Sequence, residues 1–234
     1  MDCDRQVELL DQDLDPREAA RALRDLERAT RWLLGIGPVI RSLLPRLDRS
    51  SRGQRILDLG TGSGQIPDAV SAAGRRRGLC LEIVGVDRKL EHLLIGRDWR
   101  PGHRRLVAEA EMLPFRTGSF DWSFSTLLLH HFDGASNRRI LAEMTRVSAT
   151  GVVVVDLRRS RVARLLSRAL FRLLRLGTVA THDGRVSLEQ AWTISEVERL
   201  AADFEVLEIR RRFPFRLCLV LGGTVLGGTP SDYG

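Results

Sequence analysis

The chain is poor in cysteine, has a single lysine and holds no long apolar run, and each shortage excludes something. Its 234 residues include 3 cysteines, Cys3, Cys80 and Cys218. An odd, scattered set offers neither a disulfide framework nor a CxxC metal or redox pair, so reduced, packing cysteines are expected. Apolar stretches are broken by charge well before the roughly 18 residues that a membrane span needs. The opening MDCDRQVELLDQDLD is acidic rather than signal-like. A soluble, cytoplasmic protein is the expectation. Of 37 Lys and Arg only Lys89 is lysine, which leaves 36 arginines, and the net charge is +7. A basic surface attracts the phosphates of nucleic acids. These arginines are spread almost everywhere, as a genomic base bias would also leave them, and nucleic acid is not the expected partner. No internal repeat is evident, and a hydrophobic content of 43% at this length suffices for one large domain with a full core.

The most informative segment is ILDLGTGSG at 56–64, an apolar run that meets Asp58 and then a glycine turn, followed by EIVGVD, which closes on Asp87. In a strand–loop–helix unit the glycines let the backbone turn tightly against a ligand, and an acid ending the next strand can accept hydrogen bonds from both ribose hydroxyls. A nucleoside ligand is therefore expected; ordinary strand-to-helix turns also use glycines at this spacing. Beyond the polar linker 49–53 the pattern alternates: strand 55–59, helix 66–73, strand 81–86, helix 90–96, strand 106–108. A fourth strand is read over 120–129, a helix over 137–147 and a fully buried strand in GVVVVDL at 151–157. Such alternation predicts parallel strands joined by right-handed crossovers. Two helices are expected between Arg5 and Leu34, with Asp15 as a cap and Pro16 in the first turn. Another is expected over 195–202, with Ser195 and Glu198 as a capping box. Two last strands, 205–212 and 217–221, are separated only by Phe213-Pro214-Phe215, too short for a crossover, and so form a hairpin. The division expected is a helical cap at 1–50, a main domain at 51–222 with an insertion at 158–184, and a frayed tail at 223–234.

The order of ILDLGTGSG, GVD, AEAEMLPF at 108–115 and SFDWSFSTLLLHHF at 119–132 resembles the class I S-adenosylmethionine-dependent methyltransferases. Within them it is similar to quinone-biosynthesis-type and related small-molecule enzymes. The resemblance implies an α/β fold: a Rossmann-like, doubly wound seven-stranded sheet with a reversed last strand. It implies S-adenosyl-L-methionine as cofactor, with Asp58 near the methionine end, Gly60, Thr61, Gly62 and Gly64 lining it, and Asp87 with Arg88 at the ribose. Glu109, where related sequences carry aspartate, and Ala110 would meet the adenine edge, and Ser125 would lie on the cofactor side of the fourth strand. As plain structure, Asp58 would only cap its loop, and Leu113 and Phe115 would be core.

Methyl transfer from a sulfonium is an in-line displacement whose donor already carries the activation, so a protein mainly positions the nucleophile and excludes water. For a hydroxyl acceptor a base helps, and His130 and His131, read at the end of the fourth strand, and His182 beside Asp183 in a loop are the candidates. No acid cluster of the metal-dependent catechol type is present, so no metal is expected; STLLLHH stands where a base-methylating enzyme would show an NPPY-like turn. In the insertion, Arg161, Arg164, Arg168, Arg172 and Arg175 fall on one helical face. Val162, Leu165, Leu166, Ala169, Leu170, Leu173, Leu174 and Leu176 form an apolar face. The segment reads as a helical lid over a small hydrophobic acceptor, as a basic helix over 161–176 lying on an anionic membrane, or as an ordinary packed helix. The expected activity is methyl transfer to a hydroxyl of a phenolic, polyketide-like or lipid-like compound. Carbon methylation of a quinol-like acceptor, a non-catalytic cofactor-binding regulator and an RNA methyltransferase are the alternatives.

Overall fold

A computed structural model describes residues 6–32, 35–48 and 53–225. Of the linker read at 49–53, residues 49–52 lie outside them, as does the tail beyond 225. After a 3₁₀ turn at Leu9–Asp11 come α1 (Pro16–Trp32) and α2 (Ile36–Leu43). The Rossmann-like part follows as β1 (Gln54–Leu59), α3 (Gln65–Arg75), β2 (Leu81–Asp87), α4 (Leu90–Trp99), β3 (Arg104–Val107), β4 (Phe120–Thr126), α5 (Gly134–Val147) and β5 (Ser148–Leu157). The chain ends with α6 (Arg161–Leu173), α7 (Thr178–Gln190), α8 (Ile194–Leu200), β6 (Phe204–Arg212) and β7 (Arg216–Val225). The seven strands form one sheet in the order β3-β2-β1-β4-β5-β7-β6, with β7 antiparallel to β5 and the rest of the crossover strands parallel. The expected doubly wound sheet with its reversed last strand is present.

Side chains alternate across a strand, and β5 shows what a continuous apolar run achieves. Val152 and Val154 join the cluster under α5 and α8, while Val153 and Val155 join the cluster under α2 and α3. Both faces are covered, so every valine of the run is buried. Asp15 accepts from the Arg17 N–H at 2.9 Å and starts α1 at Pro16. Where two helices were expected before residue 34, the described residues hold one long helix preceded by the 3₁₀ turn.

Four local readings are corrected. The capping box at α8 uses Thr193 and Glu196, not Ser195 and Glu198: the Thr193 hydroxyl accepts from Glu196 N, and Glu196 accepts from Thr193 N. The hydrogen bond from Trp192 N to Leu157 O anchors the chain before that turn and starts the helix earlier. Strand β4 stops at Thr126, and Leu129–His131 forms a 3₁₀ turn beyond it. Residues 178–190, which include His182, form a helix, and strand β7 reaches Val225, past the start assigned to the tail.

Candidate active site

The loop from β1 to α3 runs through Gly60, Gly62 and Gly64, all at positive φ (77°, 52° and 81°). The constraint is sharpest at Gly60, where a Cβ would come within 2.9 Å of Leu128. Gly60 and Thr61 donate to Val86 O at 2.8 and 2.9 Å, tying the loop to the end of β2. The Asp87 carboxylate fixes it further by accepting from Gly62 N at 2.8 Å and Lys89 N at 3.0 Å. A carboxylate has about four acceptor positions, so these two bonds leave capacity for hydroxyls of a ligand. Behind the loop, Asp58 is buried, and its Oδ2 has no partner among the described residues. Burial pushes its carboxyl up to about 7, with the Thr61 hydroxyl holding it back and the Asp87 charge adding to the rise. An orphaned buried acceptor suits a cationic ligand group. Open room at Gly62, where a Cβ would meet nothing within 4 Å, suits a ligand close to the backbone.

The adjoining cleft, about 180 Å³, is lined by Gly60, Gly62, Asp87, Arg88, Glu109 and Ala110 of the residues the sequence singled out. Glu109 is exposed at its rim. Asp58, Thr61, Gly64 and Ser125 are not in its lining: Asp58 is buried at the end of β1, Thr61 is a buried residue of the loop, Gly64 is the N-cap of α3, and Ser125 is buried within β4. The sequence reading did not foresee His92, Phe132 or the stretch Glu8, Leu10 and Asp11, all of which line the cleft.

A second cavity, about 220 Å³, lies beside the first and is walled mainly by Leu10, Leu26, Leu157, Leu166, Leu170 and Phe171. Glu8, Leu10, Leu26, Leu127 and His131 line both. At this seam Leu127 is held at φ 58°. An L-residue there costs about 1–2 kcal/mol, and such strain clusters at functional sites.

A chain of paired charges runs along the seam. His130 is buried, with Nδ1 2.6 Å from Asp156 Oδ1 and Nε2 3.6 Å from Glu8 Oε1. Burial alone would lower its pKa, but Asp156 and Glu8 outweigh burial and raise it to about 10, so the ring is an imidazolium at neutral pH. Burial would likewise raise Glu8; His130, His131 and the Ser187 hydroxyl hold it below the usual range. His131, half-buried, places Nδ1 2.9 Å from Asp11 and Nε2 3.8 Å from Glu8. Asp11 is lowered to about 2 against its burial by His131 and Arg88. Glu8, His130 and His131 bring donor atoms within 4.8 Å of one another, close enough to share a cation, and Glu8 already lies beside the His130 imidazolium.

His182 stands apart. It is half-exposed on α7, 3.1 Å from its neighbour Asp183, and belongs to the lining of neither cavity. Asp183 is the part of that pair turned inward: buried, it accepts from Leu9 N at 2.7 Å and Leu10 N at 3.0 Å, holding the N-terminal turn over the seam. No local signal marks Glu8, which meets His130 across 130 − 8 = 122 residues of chain.

Residues 57–155 match the family model described as a methyltransferase domain. Over 99 residues the chain is 32% identical to demethylmenaquinone methyltransferases of Renibacterium salmoninarum and Paenarthrobacter aurescens. That is 42% of this chain and 38% and 36% of those proteins, so well under half of the relatives' length is spanned. Two solved structures share the fold. A SAM-dependent methyltransferase from Aquifex aeolicus has TM-score 0.61, 15% identity, and coverage of 91% of this chain and 100% of that one. Human N-acetylserotonin methyltransferase in complex with SAM has TM-score 0.60, 15% identity, and coverage of 89% and 56%. Residues 57–155 thus match a methyltransferase domain, and the sheet order β3-β2-β1-β4-β5-β7-β6 belongs to a fold shared with these S-adenosylmethionine-dependent methyltransferase structures.

Proposed function

We propose that the protein transfers a methyl group from S-adenosylmethionine to a hydroxyl of a small, hydrophobic, phenolic or lipid-like acceptor. The observation that carries this reading is the seam: one polar cleft and one apolar cavity share a wall of Glu8, Leu10, Leu26, Leu127 and His131. When bound, the cofactor supplies an activated methyl on a sulfonium. Asp87 would hold the ribose, Asp58 would face the ammonium, and Glu109 with Ala110 would border the adenine. The apolar walls orient the acceptor and exclude water, which contributes through proximity. His130, fixed as an imidazolium by Asp156, presents positive charge to the cavity and stabilises a developing phenolate. Its protonation at neutral pH removes it from the role of base, and His131 at the seam takes that place. Carbon methylation of a quinol is the second reading, favoured by the similarity to demethylmenaquinone methyltransferases.

Incubation with methyl-labelled donor and a series of alkyl phenols and quinols tests the reading. Labelled ether or ring-methylated product is expected, and binding of the donor with no transfer to any member would replace an enzyme with a cofactor-binding regulator. Two outcomes concern the cofactor alone. Asp87→Ala is expected to weaken its binding by about 1.5–3 kcal/mol, the range for bonds to a charged group, and equal calorimetric affinity in the variant would remove Asp87 from the ribose. Because the free Asp58 carboxyl has a pKa of about 7 and binding of an ammonium favours its anion, affinity should rise with pH and level off above about 7. A flat profile between mildly acidic and neutral pH would separate Asp58 from the ligand.

A further inference from the structure

Helix α6 buries Ala163, Ser167 and Phe171, one residue per turn, keeps Leu170 half-buried at the cavity, and leaves most of its other apolar residues exposed. Val162 (55%), Leu165 (74%), Leu166 (54%) and Leu173 (78%) are exposed, and with Ala169 they fall within an arc of about 100° on a 3.6-residue helix. The apolar face foreseen from the sequence therefore exists, but most of it faces away from the protein. Along one border of this stripe run Arg161, Arg164, Arg168 and Arg172, with Arg185 of α7 beside them around a shared groove. None of these five has an ion-pair partner among the described residues. Several arginines elsewhere are engaged, Arg46 with Glu208, Arg88 with Asp11, Arg100 with Glu27, Arg139 with Glu111 and Arg146 with Glu143. An even genomic bias toward arginine does not account for unpaired cations gathered beside unpartnered leucines.

We infer that the α6 face is a docking surface for an anionic lipid bilayer, the exposed stripe entering the acyl boundary and the arginine row meeting the headgroups. Exposed apolar area supplies the insertion and the row of cations supplies the attraction and orientation. No helix of the described residues is long and apolar enough to cross a membrane, so the contact is peripheral. Charge complementarity selects a bilayer over a second copy of this chain, which would set the same arginines against one another. Leu166 belongs both to the exposed stripe and to the wall of the apolar cavity. A phenol dissolved in the bilayer would then pass along α6 into the site without crossing water; this passage rests on the methyl-transfer reading, and the docking does not.

The test is co-sedimentation of the full chain with vesicles of phosphatidylcholine alone or with a third of phosphatidylglycerol. Partition onto the anionic vesicles is expected to exceed that onto neutral ones by at least about tenfold and to fall at high salt. Leu165→Ser with Leu173→Ser, both exposed, should lower it by about tenfold or more at unchanged helical circular dichroism. Arg164→Glu with Arg168→Glu should abolish the anionic preference. Equal partition onto both vesicles, or wild-type binding by the serine variant, overturns the docking. So does retention by RNA in place of vesicles that the serine variant leaves intact, or a dimer in light scattering that the serine variant dissolves. Turnover of a short, water-soluble phenol keeps the two readings apart. Intact turnover with no vesicle binding overturns the docking alone. Vesicle binding with no turnover on any phenol overturns the methyl transfer alone.

Discussion

Asp156→Asn is expected to destabilise the protein by about 3–5 kcal/mol, the cost of leaving a buried charge without its partner. The arithmetic of donors explains why so conservative a change is costly. Asp156 accepts from His130 N at 3.2 Å, from the His130 ring at 2.6 Å and from Leu157 N at 2.6 Å. Asparagine brings one oxygen and an amide nitrogen, so at least one of these donors would face another donor. Buried Arg216 would lose the charge that supports it against burial. The pH dependence carries the same signature. His130 has a folded pKa of about 10, above its ordinary value of 6.5. Its contribution is therefore fully present below about 6.5 and is lost as pH rises through about 10. Asp156 is depressed, despite its burial, chiefly by His130, so its contribution is present above the ordinary carboxylate range and is lost as pH falls through its own lowered value. Urea titrations of wild type should show stability declining between neutral pH and pH 10, and the variant should show a flatter profile on a lower baseline. A variant within 1 kcal/mol of wild type at pH 7 would contradict the pairing.

His131→Ala should lower turnover on a phenol by about 10²–10⁴, the range for loss of a positioned acid–base group, while calorimetric affinity for the cofactor stays near wild type. The position decides this: His131 touches both cavities, whereas buried His130 holds its proton between two carboxylates and His182 lies outside both linings. The loss should grow as the acceptor's own pKa rises, since a more acidic phenol needs less help. Undiminished turnover across the phenol series would leave proximity and the imidazolium field as the whole of catalysis. His182→Ala, by contrast, should change turnover little.

The sheet was legible because its signals are local. ILDL, EIVGVD and GVVVVDL each announce a buried strand by composition, and Phe213-Pro214-Phe215 leaves no length for a crossover. The capping box was misplaced because TISEVE contains two overlapping matches to the same pattern, and only the distant hold of Leu157 on Trp192 chooses between them. Helix α7 was unreadable for a similar reason. Gly184 inside a helix costs roughly 1 kcal/mol against alanine, yet a Cβ there would come within 2.7 Å of the Phe171 ring, so packing on α6 requires the residue that local propensity rejects. The glycine loop and Asp87 could be placed together from sequence because they lie close along the chain, in one strand–loop–helix–strand stretch, and they do line one cleft. The other half of the site could not, because its walls come from the N-terminal turn, the β4 exit and α6, which only the completed fold brings together.

The grip of Asp183 on Leu9 and Leu10 spans 174 and 173 residues of chain. Closing so long a loop is entropically slow and is rewarded only after α7 has a surface to rest on. The turn at Leu9–Asp11 is therefore expected to settle late, after β1 to β5 and the glycine loop, whose contacts are closer in sequence. During folding the cleft beside Asp87 can form while the wall carrying Glu8 is still unmade, so one half of the chamber matures before the other.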